Sequence, residues 1–310
     1  MPVRLPSWFK RALLGVAERA GYVVLTHQTF AHLQDTIAAL EHSISAPGAT
    51  VDYQVLTDFT AKLRKFELTD PEFFALYEQV KPYTMTSIER LYAMHKAVEH
   101  VARAGVQGAI VECGVWRGGS MMMAALTLLA LGKTDRNLFL FDTFAGHPRP
   151  DPEHDCKEHY EFWLQRRRTD RSSSWAEATL EEVRSNLAST GYPLDRITFV
   201  QGIVQETIPA NAPAAIALLR LDTDWYDSTA HELRHLYPRL VPGGVLIVDD
   251  YGEMQGQKQA VDEFCAQNGL ALLLNRIDYS GRIAVKSVDR QSQPTAILAG
   301  MDEGSSGRRW

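Results

Sequence analysis

Residues 221–252 read LDTDWYDSTAHELRHLYPRLVPGGVLIVDDYG, and an apolar run at 214–221 leads into them. The pattern is a buried strand ending in Asp222 and Asp224, a helix, a Pro-Gly-Gly turn, and a second apolar strand at 245–248 ending in Asp249 and Asp250. Such a β-α-β unit sets its two strands parallel. Four carboxylates then share one carboxyl edge, where open parallel sheets bind their ligands. Acidic side chains are almost never fully buried unless they are paired or metal-bound. The stretch therefore predicts a divalent-cation site beside a second, organic ligand.

The same alternation continues outward. Upstream, 109–113 (AIVEC) is a short apolar strand, 114–120 (GVWRGGS) a glycine-rich turn and 121–131 an apolar helix; a second strand at 137–141 ends at Asp142 and Thr143. Between 145 and 171 a polar segment rich in Pro, His, Asp and Arg breaks the alternation and reads as an insertion or lid over the ligand edge. A helix at 175–189 and a third strand at 196–200 follow. Downstream come a helix at 256–268 and two strands, at 270–274 and 282–286. Seven strands interleaved with helices predict an α/β fold with a doubly wound, mostly parallel sheet. Residues 1–105 read as a helical N-terminal cap, 106–288 as the sheet domain and 289–310 as a mobile polar tail.

Within the cap, residues 7–24 space their apolar side chains as a basic amphipathic helix. Such a helix can lie on a membrane surface, although packing on the protein body or across a dimer is the reading we favour. Further helices are expected at 28–43 and through 51–83. In TMTS at 84–87, Glu89 follows Thr86 by three, a capping-box pattern that opens a helix at 88–104. The hydroxyls of Thr86 and Ser87, with the free N–H groups of a helix start, can hold a ligand carboxylate. Capping alone explains them equally well.

The formal charge of −6 argues against a nucleic-acid surface. Cys113, Cys156 and Cys265 show neither metal-ligand spacing nor a paired framework, which fits a reducing, cytoplasmic setting. No apolar run approaches the roughly 20 residues that cross a bilayer, and no clean secretion signal opens the chain.

Two motifs add a ligand to the acidic edge. Glu112-Cys-Gly114 with Gly118-Gly119-Ser120 brings backbone close to a ligand, without the G-x-G-x-x-G spacing of pyrophosphate binders. A nucleoside lacking a pyrophosphate fits better. Asp142, one β-α-β step later, is placed to accept hydrogen bonds from ribose hydroxyls, or else to cap the loop that follows. Around the four aspartates, oxygen-only donors point to Mg²⁺, Mn²⁺ or Ca²⁺ rather than zinc. The competing explanation gives each Asp a structural task, as a helix cap before Ser228 or a turn residue before Gly252.

VECGVWRGGSMM, LFLFDTFAG, LDTDWYDST and VPGGVLIVDDYG, with TMTSIER ahead of the first strand, resemble the macrocin O-methyltransferase family over residues 80–287. The resemblance implies a class I methyltransferase-like Rossmann fold and an enzyme dependent on S-adenosyl-L-methionine and Mg²⁺ (or Mn²⁺). It also implies methylation of sugar hydroxyls on macrolide and aminocoumarin natural products, hence a role in antibiotic biosynthesis. By the same resemblance Asp222, Asp249 and Asp250 match metal ligands, and Asp224 matches a general base. Glu112, Gly114, Ser120 and Asp142 match cofactor-binding positions, with Thr86 and Ser87 at the methionine end. Two segments depart from the family's pattern, Gly202-Ile-Val-Gln-Glu206 and the lid at 147–171, and both bear on the acceptor rather than the chemistry.

The mechanism expected is metal-assisted methyl transfer to a small hydroxylated acceptor. An aliphatic hydroxyl holds its proton too tightly to attack at neutral pH, so a cation on the oxygen and a nearby carboxylate are both useful. His231 is a competing base on the following helix, and His147, His154 and His159 of the lid are others. Arg166, Arg167 and Arg168 form a solvated run or an anion contact. Three rival readings remain: a catechol-like diol methyltransferase, a metal-dependent hydrolase, and a non-catalytic cofactor-binding scaffold. A homodimer or higher oligomer is left open by the cap.

Overall fold

The structure, a computed structural model, describes residues 70–287. The chain divides into two units at Asp70/Pro71, and the described residues from Pro71 onward belong to the second. The expectations for helices before residue 70, for the basic amphipathic segment and for the polar tail lie outside the described residues.

The second unit opens with α1 (Pro71–Val80), a 3₁₀ turn at Lys81–Tyr83 and α2 (Ile88–Arg103). Ser87, not Thr86, is the N-cap of α2, its Oγ accepting the Arg90 N–H at 3.1 Å. The N-cap is thus one residue later than expected, and no capping box forms: the third residue after it is Arg90 rather than a glutamate, and Thr86 N–H donates instead to Thr84 Oγ1 at 3.1 Å. Next come β1 (Ala109–Cys113), α3 (Gly119–Ala130) and β2 (Leu138–Asp142). The lid contributes α4 (Lys157–Arg166) and a small hairpin of β3 (Arg167–Thr169) and β4 (Ser172–Ser173). After it run α5 (Leu180–Ser189), β5 (Ile197–Gln201), the single turn α6 (Val204–Thr207), β6 (Ile216–Leu221), α7 (Tyr226–Leu236), β7 (Leu240–Val248), α8 (Gln255–Gln267), β8 (Asn275–Arg276) and β9 (Arg282–Val285).

Seven strands form one sheet in the order β5-β2-β1-β6-β7-β9-β8. The first five run parallel, while β9 is antiparallel to both β7 and β8. The mostly parallel, doubly wound sheet expected from the alternation is therefore present. Every residue of β1 and β6 is buried, as continuous apolar runs predict for strands covered on both faces. Chain order reverses between β1 and β6, so the crevice at their carboxyl ends is the switch point where ligands bind.

Three local expectations are corrected. The Pro-Gly-Gly turn is not a turn between elements but an irregularity inside β7. There Leu240 pairs with Ile216 and Val245 with Leu218, so residues 241–244 bulge out. Residues 270–274 are not a strand: Leu270 N–H donates back to the Cys265 carbonyl and Leu274 N–H to the Leu272 carbonyl, local bonds that keep them out of a ladder. Leu270, Leu272 and Leu274 still pack on the core, and Leu273 is 76% exposed. Alternation was real there, but the ladder begins only at Asn275. The helix expected from 175 starts at Leu180, where Thr179 caps it by accepting from Glu182 N.

Candidate active site

The switch-point crevice holds a cavity of about 370 Å³, within the range typical of small-molecule sites. Among the sequence-predicted residues, Thr86, Gly114, Ser120, Asp142, Asp222, Asp224, Asp249 and Asp250 line it, whereas Ser87 and Glu112 do not. Ser87 is occupied with the α2 cap and donates to Asp278 Oδ2 at 2.7 Å. Glu112 is 1% exposed and paired through Oε1 with Arg220 at 2.6 Å. Burial raises its pKa to about 7, against the pull of Arg220.

The glycine turn is organised by Asp142. Its Oδ2 accepts the N–H groups of Val115 (2.6 Å) and Trp116 (3.2 Å), and its Oδ1 accepts Phe144 N–H at 2.7 Å. The carboxylate thus caps the loop and lines the cavity at once, which reconciles the two readings of it. Gly114 has φ +82°, and a Cβ there would meet the Asp222 carbonyl oxygen at 2.0 Å. Its glycine is required by the close approach of the β1 and β6 exits.

Each aspartate of the acidic edge has its own surroundings. Single oxygens of Asp222, Asp224 and Asp250 all lie within 4.8 Å of one another. Burial, followed by the charge of neighbouring groups, raises the proton affinity of all three, although Arg220 opposes this at Asp222. Asp249 stands apart from that trio. Its Oδ2 accepts from Arg90 Nη1 at 2.7 Å, and Arg220 Nη2 lies 2.7 Å from Oδ1. Burial alone would raise its pKa, but the two arginines outweigh burial and lower it. The Arg220 contact is an ion pair without hydrogen-bond alignment, so Oδ1 is a buried oxygen lacking a hydrogen bond.

Asp224 has φ +70°, unusual for a residue with a side chain. Trp225 N–H donates across it to the Thr223 carbonyl at 2.8 Å, closing a γ-turn of the rare, strained kind. His147 Nε2 stands 3.4 Å from Asp224 Oδ2. Burial, then the charge of His159, lowers the His147 pKa to about 4, so the imidazole is neutral. His154, His159 and His231 do not line the cavity; His231 Nε2 lies 3.0 Å from the Ile208 carbonyl. Arg167 and Arg168 pair locally with Asp170 and Glu177.

Sequence reasoning missed Arg90 and Arg220. Arg220 was legible as the one charge in IALLRL, since a guanidinium in a fully buried strand needs carboxylate partners. Arg90 carried no such signal, because an arginine in the first turn of a helix is ordinarily solvated. Only the fold brings it to Asp249, Asp250 and Asp278.

The donor set fits a hard divalent cation. It is all oxygen, three carboxylates converge, and a buried oxygen of the fourth lacks a hydrogen bond. The cavity beside it, walled by a glycine turn and Asp142, fits a nucleoside-sized ligand.

A family model for the macrocin-O-methyltransferase (TylF) matches residues 61–285. The chain is 33% identical over 199 residues to 8-demethyl-8-(2,3-dimethoxy-alpha-L-rhamnosyl)-tetracenomycin-C 4'-O-methyltransferase of Streptomyces olivaceus, covering 64% of this chain and 74% of that one. It is 33% identical over 200 residues to mycinamicin III 3''-O-methyltransferase of Micromonospora griseorubida, covering 64% and 76%. Against demethyldecarbamoylnovobiocin O-methyltransferase of Streptomyces niveus the identity is 35% over 199 residues, covering 64% and 74%. Among solved structures, the O-methyltransferase NovP superposes with a TM-score of 0.61 at 33% identity, over 66% of this chain and 83% of that chain. CalS11, a calicheamicin methyltransferase, shares the fold at a TM-score of 0.51 and 18% identity, over 86% and 95%. With the family match running through both the glycine turn and the acidic edge, the chain belongs to the macrocin-O-methyltransferase family and is an O-methyltransferase on a class I, Rossmann-like α/β fold.

Proposed function

We propose that this enzyme transfers the methyl group of S-adenosyl-L-methionine to a sugar hydroxyl of a glycosylated natural product, with Mg²⁺ or Mn²⁺ at the acidic edge. One observation carries the reading: a single cavity joins the glycine turn and Asp142 to all four aspartates. The sugar acceptor is favoured because a relative of the same family is named for a rhamnosyl-bearing substrate.

Gly114, Ser120, Asp142 and Thr86 are assigned to the donor, since they line the cavity. Ser87 and Glu112 act on it at one remove, by capping α2 and by fixing Arg220. Asp222, Asp249 and Asp250 would hold the cation, each keeping an oxygen lone pair free of hydrogen for it. When bound, the two groups would supply the methyl and lower the pKa of the acceptor hydroxyl. Asp224 takes the hydroxyl proton. Its burial and the neighbouring Asp250 raise its proton affinity, which suits a carboxylate to that task. The aromatic lid at His147 and Trp175, part of the same cavity wall, excludes water and orients the acceptor.

Calorimetric titration with S-adenosyl-L-methionine, with Mg²⁺ and then with EDTA, tests the assignment. Binding is expected, together with metal-dependent methylation of a deoxysugar-bearing macrolide or aminocoumarin. No binding of the donor would sink the reading, and transfer unchanged by EDTA would remove the cation from it.

A further inference from the structure

We infer that Arg90 couples cation binding to donor binding, so that each tightens the other; the inference rests on the function proposed above. The Arg90 side chain is 7% exposed and lies in the cavity wall. Its Nη1 donates to Asp249 Oδ2 at 2.7 Å and to Asp250 Oδ1 at 3.0 Å, while its Nε donates to Asp278 Oδ2 at 2.8 Å. The Nε end is a fixed pivot. Asp278 Oδ1 is locked by the N–H groups of Ser280 (2.9 Å) and Gly281 (2.6 Å), and its Oδ2 also accepts from Ser87.

The Nη1 end is different, because it neutralises two of the carboxylates assigned to the cation. A divalent ion and a guanidinium on the same two carboxylates repel each other strongly where water is excluded. Cation binding therefore weakens the hold of Asp249 and Asp250 on Nη1. The freed end of the fork stays in the cavity wall beside Thr86, as a buried cation needing an anion. A planar guanidinium is suited to a carboxylate, and the donor carries one at its methionine end. Coupling of this kind is reciprocal: the factor by which the cation tightens the donor is the factor by which the donor tightens the cation. A merely structural Arg90, stapling α2 to the 278–281 loop, predicts no such linkage.

The test is calorimetric titration of the full chain with S-adenosyl-L-homocysteine, with and without Mg²⁺. In the wild type, Mg²⁺ is expected to tighten binding by about fivefold or more. In Arg90→Met the effect of Mg²⁺ falls below about twofold, and Mg²⁺ alone binds no more weakly than to the wild type. Arg90→Lys keeps the buried charge and so guards against misfolding. Lacking the fork, it too is expected to lose the coupling. Wild-type coupling that persists undiminished in either variant overturns the inference, as does independence of the two ligands in the wild type. Failure of the wild type to bind S-adenosyl-L-homocysteine at all strikes the proposed function instead.

Discussion

At Asp224 the chain tolerates a backbone conformation that costs about 1–3 kcal/mol, and neighbours hold it there. Thr223 Oγ1 donates to the buried Glu232 at 2.9 Å, and Ser228 Oγ donates to the Trp225 carbonyl at 3.0 Å. Burial raises the Glu232 pKa to about 8, so it is a neutral acid that braces the turn without adding charge. Asp224→Asn is expected to keep donor and Mg²⁺ affinity while lowering kcat by about 10²–10⁴. Asp249→Asn is expected to lose Mg²⁺ affinity while binding the donor, in the absence of Mg²⁺, no more weakly than the wild type. The opposite pattern in calorimetry would exchange the two roles. Relieving the positive φ with Asp224→Gly should abolish turnover yet raise Tm by about 2–4 °C, a gain near 1 kcal/mol. Arg220 is the other residue whose removal is telling, since it pairs with Glu112, Asp222 and Asp249 together. Arg220→Met leaves buried carboxylates without compensation and is expected to cost about 3–5 kcal/mol in a urea melt.

Among the elements, the lid is held more firmly than its polar composition suggests. The His147 carbonyl accepts from Trp163 Nε1 (3.1 Å) and Ser173 Oγ (2.9 Å), and Trp225 Nε1 donates to the Pro148 carbonyl at 3.1 Å. Asp155 reaches from the lid to the start of α7, accepting Tyr226 N–H at 3.1 Å. The His147 imidazole, neutral down to about pH 4 in the folded chain, titrates near 6.5 when unfolded. Between those values the unfolded chain binds more protons, so this contribution to stability is lost as pH falls from 6.5 to 4. His147→Gln removes it. The stability difference between variant and wild type should move in favour of the variant over that window, by at most on the order of 3 kcal/mol, measured by denaturant melts at several pH values. A flat difference would mean that His147 is exposed and free to protonate. The β1 exit is governed by a different restriction. Gly114→Ala forces a Cβ onto the Asp222 carbonyl at positive φ, and it is expected to cost about 3 kcal/mol or more in thermal melts.

For the whole molecule, folding without a cation leaves three carboxylates of one cluster raised in proton affinity by burial and mutual repulsion. An ion that binds only the folded chain stabilises it by mass action, about 2.7 kcal/mol at a hundredfold excess over Kd. Mg²⁺ is therefore expected to raise Tm and EDTA to reverse the rise. A Tm indifferent to Mg²⁺ at millimolar concentration would count against the acidic edge as a cation site. Among the described residues no helix is long and apolar enough to cross a membrane.

The sheet was legible from the chain alone because period and punctuation carry it: apolar runs of five or six residues, interleaved helices, and aspartates at strand exits. Asp142 and the four edge aspartates were found by their position, since a strand's exit is determined by where its apolar run stops. Local patterns misled where two structures share one pattern. Leu270, Leu272 and Leu274 alternate as a strand does, yet form no ladder, and VPGG reads as a turn but bulges within β7. The surroundings of each aspartate were decided only by tertiary structure. Asp249 and Asp250 are neighbours in sequence, yet two arginines hold Asp249, while Asp250 meets Arg90 alone and also faces Asp222 and Asp224. The physical reason is that charge pairing depends on distance through space, and Arg90 lies 159 residues from Asp249 along the chain but 2.7 Å from it in the fold. The sequence by itself determined the sheet and its ligand edge; the tertiary structure decided which arginine each carboxylate of that edge meets.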